Sequence, residues 1–276
     1  MKKVIFSDDN WQKFFASFGL VSLEDFFDYD GGKIINQNSK RQVMAFGLGH
    51  GTERQEFFIK RFLHPHYKDM FFSMLNFGRP CSQGYVEWAN AGLLLENGIE
   101  TYRPVCFGEE ITGGLERKSF FVTRKLPGDC MTDFIIERWP GMGQAEKAEI
   151  AAALGRFISK LHGSHISMPD LYMWHIFISP DANNNWDFAL IDLHRMKRKV
   201  TNRNEQIKDL AALFYSMLPE YFDDNLEQTF LESYAENSSY NLDELKGRIA
   251  SRREVLVRRR GNPARAWKIT RSTKDR

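Results

Sequence analysis

The stretch MPDLYMWHIFI, Met168 to Ile178, sets Asp170 five residues ahead of His175 and runs straight into an apolar segment. A second acid, Asp192, stands in LIDLHR, Leu190 to Arg195, behind the apolar run FALI. Short apolar runs bounded by turn residues read as strands, and the polar turn SPDANNNWD joins these two. Each acid is therefore mounted at the edge of a short strand. Metal-assisted phosphoryl transfer needs such a pair: one carboxylate takes a hydroxyl proton, and the other holds a divalent cation on phosphate oxygens.

Outward from this pair the chain changes character. Upstream, Ile150, Leu154, Phe157, Ile158 and Leu161 recur at helical spacing within Ala145 to His162. Downstream, KDLAALFYSML, LEQTFLESYAE and the charged segment Leu242 to Arg260 read as helices. The first half is different. KIINQ, RQVMAFGLG, QEFFIKRF, PVCFGE and KSFFVTRKL are β-rich, with one helix expected from Gln83 to Asn97, capped by Ser82 and ended by Gly98. The opening thirty residues are aromatic and irregular, with a short helix expected. LHPHYKDMFFSMLNFGRP is aromatic and partly basic. A strand-rich half followed by a helical half gives an α+β chain with a bilobal plan. The expected parts are an N-terminal lobe over 1–126, a helical C-terminal lobe over 127–260 and a mobile basic tail over 261–276.

Composition excludes several classes. Of 276 residues, 42% are hydrophobic and 27% charged, which is ordinary for a globular protein. No apolar run approaches the roughly 20 residues of a membrane span, and MKKVIFSDDN is not a secretory signal. Cys81, Cys106 and Cys130 lack paired spacing, which fits a reducing cytosol and argues against a disulfide framework or zinc site. The net charge of +2 is unevenly spread. From Lys246 to Arg276 there are twelve Lys and Arg against Glu254 and Asp275, or +10, leaving −8 on the other 245 residues. A basic end on an acidic body suits a polyanionic partner; a solvated terminus is the plainer reading.

Lys60 in FFIKRF ends an apolar strand, and Glu87 sits in the first half of the expected helix. A helix packed on the strands could pair them and so hold a lysine for nucleotide phosphates; alone, each is an ordinary surface charge. Asp170 has a turn aspartate as its plainer reading, and His175 a buried structural histidine. Mg²⁺ prefers oxygen, so direct ligation by His175 is open. Arg195, Lys197 and Arg198 could bind acceptor phosphates or form a solvated loop. GLGHGTE, Gly47 to Glu53, is a weak glycine signal, and Asp209 reads as an acid near a helix start.

Taken together, FFIKRF, EWANAGLLLENGIETYRPVCFGE, DLYMWHIFI, LIDLHR and KDLAALFYSM resemble the lipopolysaccharide core kinases, the Kdo/heptose group related to protein kinases, over about Lys33 to Arg260. The resemblance implies a bilobal protein-kinase-like fold that uses ATP and Mg²⁺. It implies that Lys60 contacts nucleotide phosphates with Glu87 as its partner, and that the backbone of Thr123, Arg124, Lys125 and Leu126 meets adenine. It implies Asp170 as catalytic base, Asp192 as metal-binding acid with His175 in the place of a catalytic-loop asparagine, and Asp209 as buttress of that loop. One departure is Met168-Pro169 where the family carries His-Arg.

The expected activity is phosphorylation of a heptose hydroxyl, ahead of Kdo, on the lipopolysaccharide inner core. The expected place is the cytoplasm, peripheral on the inner face of the membrane through basic patches, with Met70 to Phe77 a further candidate contact. The rivals are a catalytically silent nucleotide-binding relative, a small-molecule phosphotransferase, and a nucleic-acid binder stacking Trp267 on a base. The last is disfavoured, since one short basic tail is weak evidence.

Overall fold

The computed structural model describes residues 1–65, 67–183, 185–236 and 240–267, apart from the side chains of 67–69. The chain divides into two compact units: Met1–Glu96 with Thr101–Leu126, and Asn97–Glu100 with the chain from Pro127 onward.

The first unit is built on a six-stranded antiparallel sheet. Its elements in chain order are β1 (Lys2–Phe6), α1 (Asp9–Ala16), α2 (Leu23–Asp28), β2 (Gly32–Gln37), β3 (Arg41–Leu48), β4 (Gln55–Phe62), α3 (Tyr67–Phe77), α4 (Gln83–Glu96), β5 (Pro104–Thr112) and β6 (Leu115–Arg124). The strand order is β1-β5-β6-β4-β3-β2. β1 was not expected. Five residues at a chain end carry too little periodicity to announce a strand, and pairing along β5, from Lys2 opposite Glu110 to Phe6 opposite Cys106, is what creates it.

β4 is covered on both faces, and its alternation shows why. Phe57, Ile59 and Arg61 point to the face covered by the first helices, where Phe15, Phe26, Phe46, Phe57 and Phe120 form the core. Asp8 caps α1, and a Ser22–Asp25 capping box starts α2. Arg61 is buried there, with hydrogen bonds to neutral acceptors and the charges of Asp28 and Asp30 nearby. Its Nε–H donates to the Phe26 carbonyl at 2.9 Å, one terminal N–H to Gln42 at 2.6 Å and another to the Tyr29 carbonyl. One guanidinium thus ties α2 and the segment after it to the sheet. Burial pulls its pKa down without neutralising it.

The second unit contains β7 (Asp129–Cys130), α5 (Met131–Arg138), α6 (Gln144–Gly163), β8 (Ile176–Pro180), β9 (Trp186–Leu190), α7 (Arg203–Ser216), α8 (Asp224–Ala235) and α9 (Leu242–Arg260). β7, β8 and β9 form a small antiparallel sheet. α6 and α8 pack backbone to backbone at Gly155, where a Cβ would lie 2.4 Å from the Phe230 carbonyl oxygen. The apolar stripe Ile150, Leu154, Ile158, Leu161 of α6 is fully buried.

The tail needs correction. Residues 261–267 are part of the packed unit: the Tyr215 hydroxyl donates to the Gly261 carbonyl at 2.9 Å, and Trp267 is buried. The Trp267 indole donates to the Ser216 carbonyl at 3.0 Å and stacks on Tyr221. Its ring is committed to the core and is not available to stack on a base. The remainder of the expected tail, 268–276, lies outside the described residues. The three cysteines are free and buried.

Candidate active site

In the sheet unit the site residues come from β4 and α4. Lys60 points to the β4 face opposite Arg61, the face on which α4 packs. The Ser82 hydroxyl accepts the Tyr85 N–H at 3.2 Å and so caps the helix. Glu87 is 1% exposed and accepts hydrogen bonds from the Lys60 ammonium and the Tyr102 hydroxyl. A buried carboxylate is tolerated only when its lone pairs are filled by such donors. Tyr102 was missed in the sequence; the signal was a tyrosine just ahead of β5, facing the same helix.

Thr123 and Arg124 end β6, and Lys125 and Leu126 follow. Arg124 N–H donates to the Arg103 carbonyl and Lys125 N–H to the Glu56 carbonyl, both at 3.0 Å. Lys125 also pairs with Glu56 across the surface at 2.6 Å.

In the helical unit the site is built on loops. The segment before Asp170 and the segment after Asp192 are zipped together: Ser167 and Lys197 exchange both backbone hydrogen bonds, and Val200 N–H donates to the His165 carbonyl. From below, Asp209 on α7 holds the loop. It is fully buried, and its Oδ2 accepts the Met168 N–H at 2.7 Å and faces His162 Nε2 at 3.3 Å. His162 Nδ1 in turn meets the Tyr234 hydroxyl at 2.8 Å. The contact to the loop is made by backbone, so Met168 serves where another residue type was expected. His162 was missed; the sequence clue was a histidine next to Leu161 on the buried stripe of α6.

The loop then presents its acids. His175 Nδ1 lies 2.7 Å from the Asp170 carbonyl oxygen. A carbonyl only accepts, so Nδ1 carries a proton. Nε2, on the other side of the ring, lies 3.7 Å from the Asp192 carboxylate. His194 Nδ1 approaches the other Asp192 oxygen at 3.0 Å. Asp192 has φ +61°, a left-handed conformation that aspartate tolerates better than most residues, and it turns the chain sharply out of β9. Each oxygen of the Asp192 carboxylate thus faces an imidazole, His175 on one side and His194 on the other.

Asp170 is half-buried, and both its oxygens lie 3.1 Å from one terminal nitrogen of the exposed Arg195. Of the other two basic candidates, Lys197 is bound to Glu205 at 2.6 Å, and Arg198 is partly buried. The loop also leans on an aromatic cluster. Tyr172 stacks on Trp174, packs against Tyr215 and receives a hydrogen bond from Arg260 at the end of α9. Burial raises the Tyr172 pKa.

Comparison with known proteins gives this geometry a context. Residues 27–234 match the lipopolysaccharide kinase (Kdo/WaaP) family. The chain belongs to that family. Among family relatives, the lipopolysaccharide core heptose(I) kinase WaaP of Pseudomonas aeruginosa is 28% identical over 139 residues, 48% of this chain and 52% of that protein. The WaaP of Escherichia coli K12 is 24% identical over 193 residues, 68% of this chain and 71% of that one. The chain thus aligns with about half the length of the first protein and nearly three quarters of the second. The solved structure of WaaP in complex with acyl carrier protein matches 92% of this chain and 99% of its own at a TM-score of 0.67 and 20% identity. At that identity the likeness concerns the fold, which is α+β, two-lobed and kinase-like.

Proposed function

We propose that the protein transfers the γ-phosphoryl group of ATP to a sugar hydroxyl of the lipopolysaccharide inner core, heptose ahead of Kdo. Family membership supports the substrate class. The observation that carries the chemistry is the His175 ring, whose Nδ1–H donates to the Asp170 carbonyl while Nε2 faces the Asp192 carboxylate. In this reading one imidazole stands between the backbone of the proposed base and the carboxylate of the proposed metal-binding acid.

In this reading the Asp170 carboxylate takes the proton of the acceptor hydroxyl. The acceptor oxygen forms its bond to the γ-phosphorus, the bond from that phosphorus to the β,γ-bridging oxygen breaks, and ADP leaves. Lys60, held by Glu87, binds nucleotide phosphate oxygens. The backbone of Thr123 to Leu126 would meet adenine; since the N–H groups of Arg124 and Lys125 already donate to other carbonyls, Leu126 is the donor this reading favours. Asp192, with His175 Nε2, would hold Mg²⁺, which when bound supplies positive charge to the β- and γ-phosphates. Arg195 is the acceptor-sensing residue. It occupies the base until an anionic group on the core sugar draws the guanidinium away, leaving both Asp170 oxygens open to the hydroxyl. Lys197 has a smaller part, since Glu205 already holds it.

The silent alternative rested on Met168-Pro169. The backbone bond from Met168 to Asp209 supports the active reading, because it anchors the loop without the missing side chains. Partners follow in coarser form: the lipid-anchored core and, by likeness to the solved WaaP complex, an acyl carrier protein. No helix among the described residues is long and apolar enough to cross a membrane. The test is transfer of labelled phosphate from ATP to dephosphorylated lipopolysaccharide core, with Asp170→Ala as control. Label on the core that vanishes in the control is the expected result; ATP binding without any transfer would leave the silent reading standing.

A further inference from the structure

Helix α3 has two unlike faces. Met70 and Ser73 are buried, and Phe77 packs edge-on against Tyr85 on α4. Ser73 accepts the Cys81 N–H at 2.7 Å, and the Glu116 N–H meets the Met70 sulfur at 3.3 Å. Positions 70, 73 and 77 therefore seat the helix on the sheet unit. The opposite face carries Phe71, Phe72, Met74 and Leu75, exposed to 64%, 62%, 43% and 74%. No other described element exposes four large apolar side chains; the other exposed ones are Met1, Ile5, Phe18, Val21 and Ile34, with Val255 and Val257 on α9.

This patch has the size of the largest apolar patch on an ordinary monomer, which is often a functional one, and is smaller than a protein interface. At about 200 Å² per large side chain it amounts to roughly 450 Å². A stable dimer buries about 800 Å² per partner, with a polar rim around the apolar centre. A lipid bilayer requires no matching partner surface, and an amphipathic helix can lie in its plane with one apolar face sunk roughly 5–10 Å. The flanking charge suits that occupant. Arg79 is exposed just past the C-terminal end of α3, its guanidinium 4.9 Å from the Tyr85 ring centre. Arg117 is exposed beside Glu116, the residue that meets Met70. Among the described side chains near it, the acids Glu109 and Glu116 are buried and bonded.

We propose that α3 is an interfacial anchor: Phe71, Phe72, Met74 and Leu75 insert into an anionic lipid surface while Arg79 and Arg117 face its phosphates. The inference rests on the reading of a lipid-anchored acceptor for the choice of lipid over protein. It departs from attachment through the basic C-terminal segment alone, because the depth of insertion comes from aromatic and aliphatic side chains of the sheet unit.

The experiment is flotation of the full chain with vesicles of phosphatidylcholine and phosphatidylglycerol, wild type beside the triple variant Phe71→Ser, Phe72→Ser, Leu75→Ser. All three side chains are exposed, so the variant keeps its melting temperature, and a thermal scan verifies this. The partition coefficient of the variant should fall roughly tenfold or more, and Arg79→Glu with Arg117→Glu should lower it further. Phosphorylation of water-soluble deacylated core should be unchanged in the triple variant, while phosphorylation of intact lipopolysaccharide in vesicles falls. Equal flotation of variant and wild type would overturn the anchor and return membrane contact to the basic segment. So would an unchanged flotation accompanied by lost capture of an acidic carrier protein, which would make the face a protein-docking surface. Flotation judges the anchor by itself, so failure of wild type to phosphorylate either acceptor would remove the kinase reading without touching this one.

Discussion

The two units hold their important acids by opposite means. In the sheet unit Glu87 is locked inside, between a strand lysine and a tyrosine, on regular elements that also carry the core. In the helical unit Asp170 and Asp192 stand half-buried on loops, and a third acid, Asp209, sits beneath them fully buried and holds the loop by its backbone. The sheet unit thus merges support with function in one ion pair. In the proposed mechanism the helical unit separates them, with the acids assigned to the reaction on its loops and an anchoring acid below. A carboxylate that must accept a proton needs access to its substrate. A carboxylate that only positions can be buried, provided its oxygens find donors.

Replacing a reactive acid should therefore cost rate without stability. Asp170→Asn should lower kcat about 10²- to 10⁴-fold, with nucleotide affinity within about twofold and an unchanged melting temperature. Single-turnover transfer and nucleotide titration separate the two quantities. A variant that unfolds early would place Asp170 among the anchors and erase the contrast.

Lys60→Met should do both kinds of damage at once. Loss of a charge-assisted contact to phosphate should reduce kcat/KM for ATP about 10- to 100-fold. Glu87 would be left buried with only the Tyr102 hydroxyl, at a cost of about 3 kcal/mol in stability. Urea unfolding alongside steady-state kinetics tests the coupling of the two losses. In contrast, Asp209→Ala should cost about 1–3 kcal/mol by stranding the Met168 N–H and His162, and kcat should fall about tenfold as the loop relaxes. Its nucleotide affinity should stay near wild type; a loss as deep as that of Lys60→Met would mean that the anchor also shapes the nucleotide site.

The same contrast explains what was legible in the sequence. Lys60 and Glu87 lie on elements whose periodicity is plain, so their pairing could be anticipated from strand and helix alone. The long helices and five of the sheet's strands were legible for the same reason. β1 was not, because a terminal strand exists only through its partner. Arg61 was also overlooked, although alternation in FFIKRF places it on the face opposite Lys60, with Phe57 and Ile59. In the helical unit, the acids of the loops were legible as residue types and spacings. The fixing contacts of His162, His194 and Arg195 were not, since loop geometry follows from tertiary hydrogen bonds that leave no period in the sequence. The start of the expected tail, 261–267, was read as mobile because charge dominated its reading, while Trp267, a large apolar ring inside it, decides that this stretch packs.

The smallest expected effect concerns the zipper between the two loops. Glu205 accepts from Lys197 at 2.6 Å and from Lys208 at 2.6 Å, and these hydrogen bonds hold its pKa below the usual carboxylate value. A depressed folded-state pKa means that the unfolded chain binds the proton first. The stabilisation is therefore complete above the ordinary pKa of about 4.5 and is lost as pH falls through the lower folded value. Both lysines are 44% exposed, so solvent screening limits the contribution to about 1 kcal/mol or less. Glu205→Gln should accordingly shift the urea midpoint downward at pH 7, and the difference from wild type should shrink to nothing once the pH lies below the folded pKa. Because Lys197 exchanges backbone bonds with Ser167, the variant should also loosen the segment that carries Arg195 and Asp170, seen as faster amide exchange at Ser167 and Lys197. A pH-independent difference between the two proteins would show that the carboxylate stabilises through packing, and the loop zipper would then owe nothing to its charge.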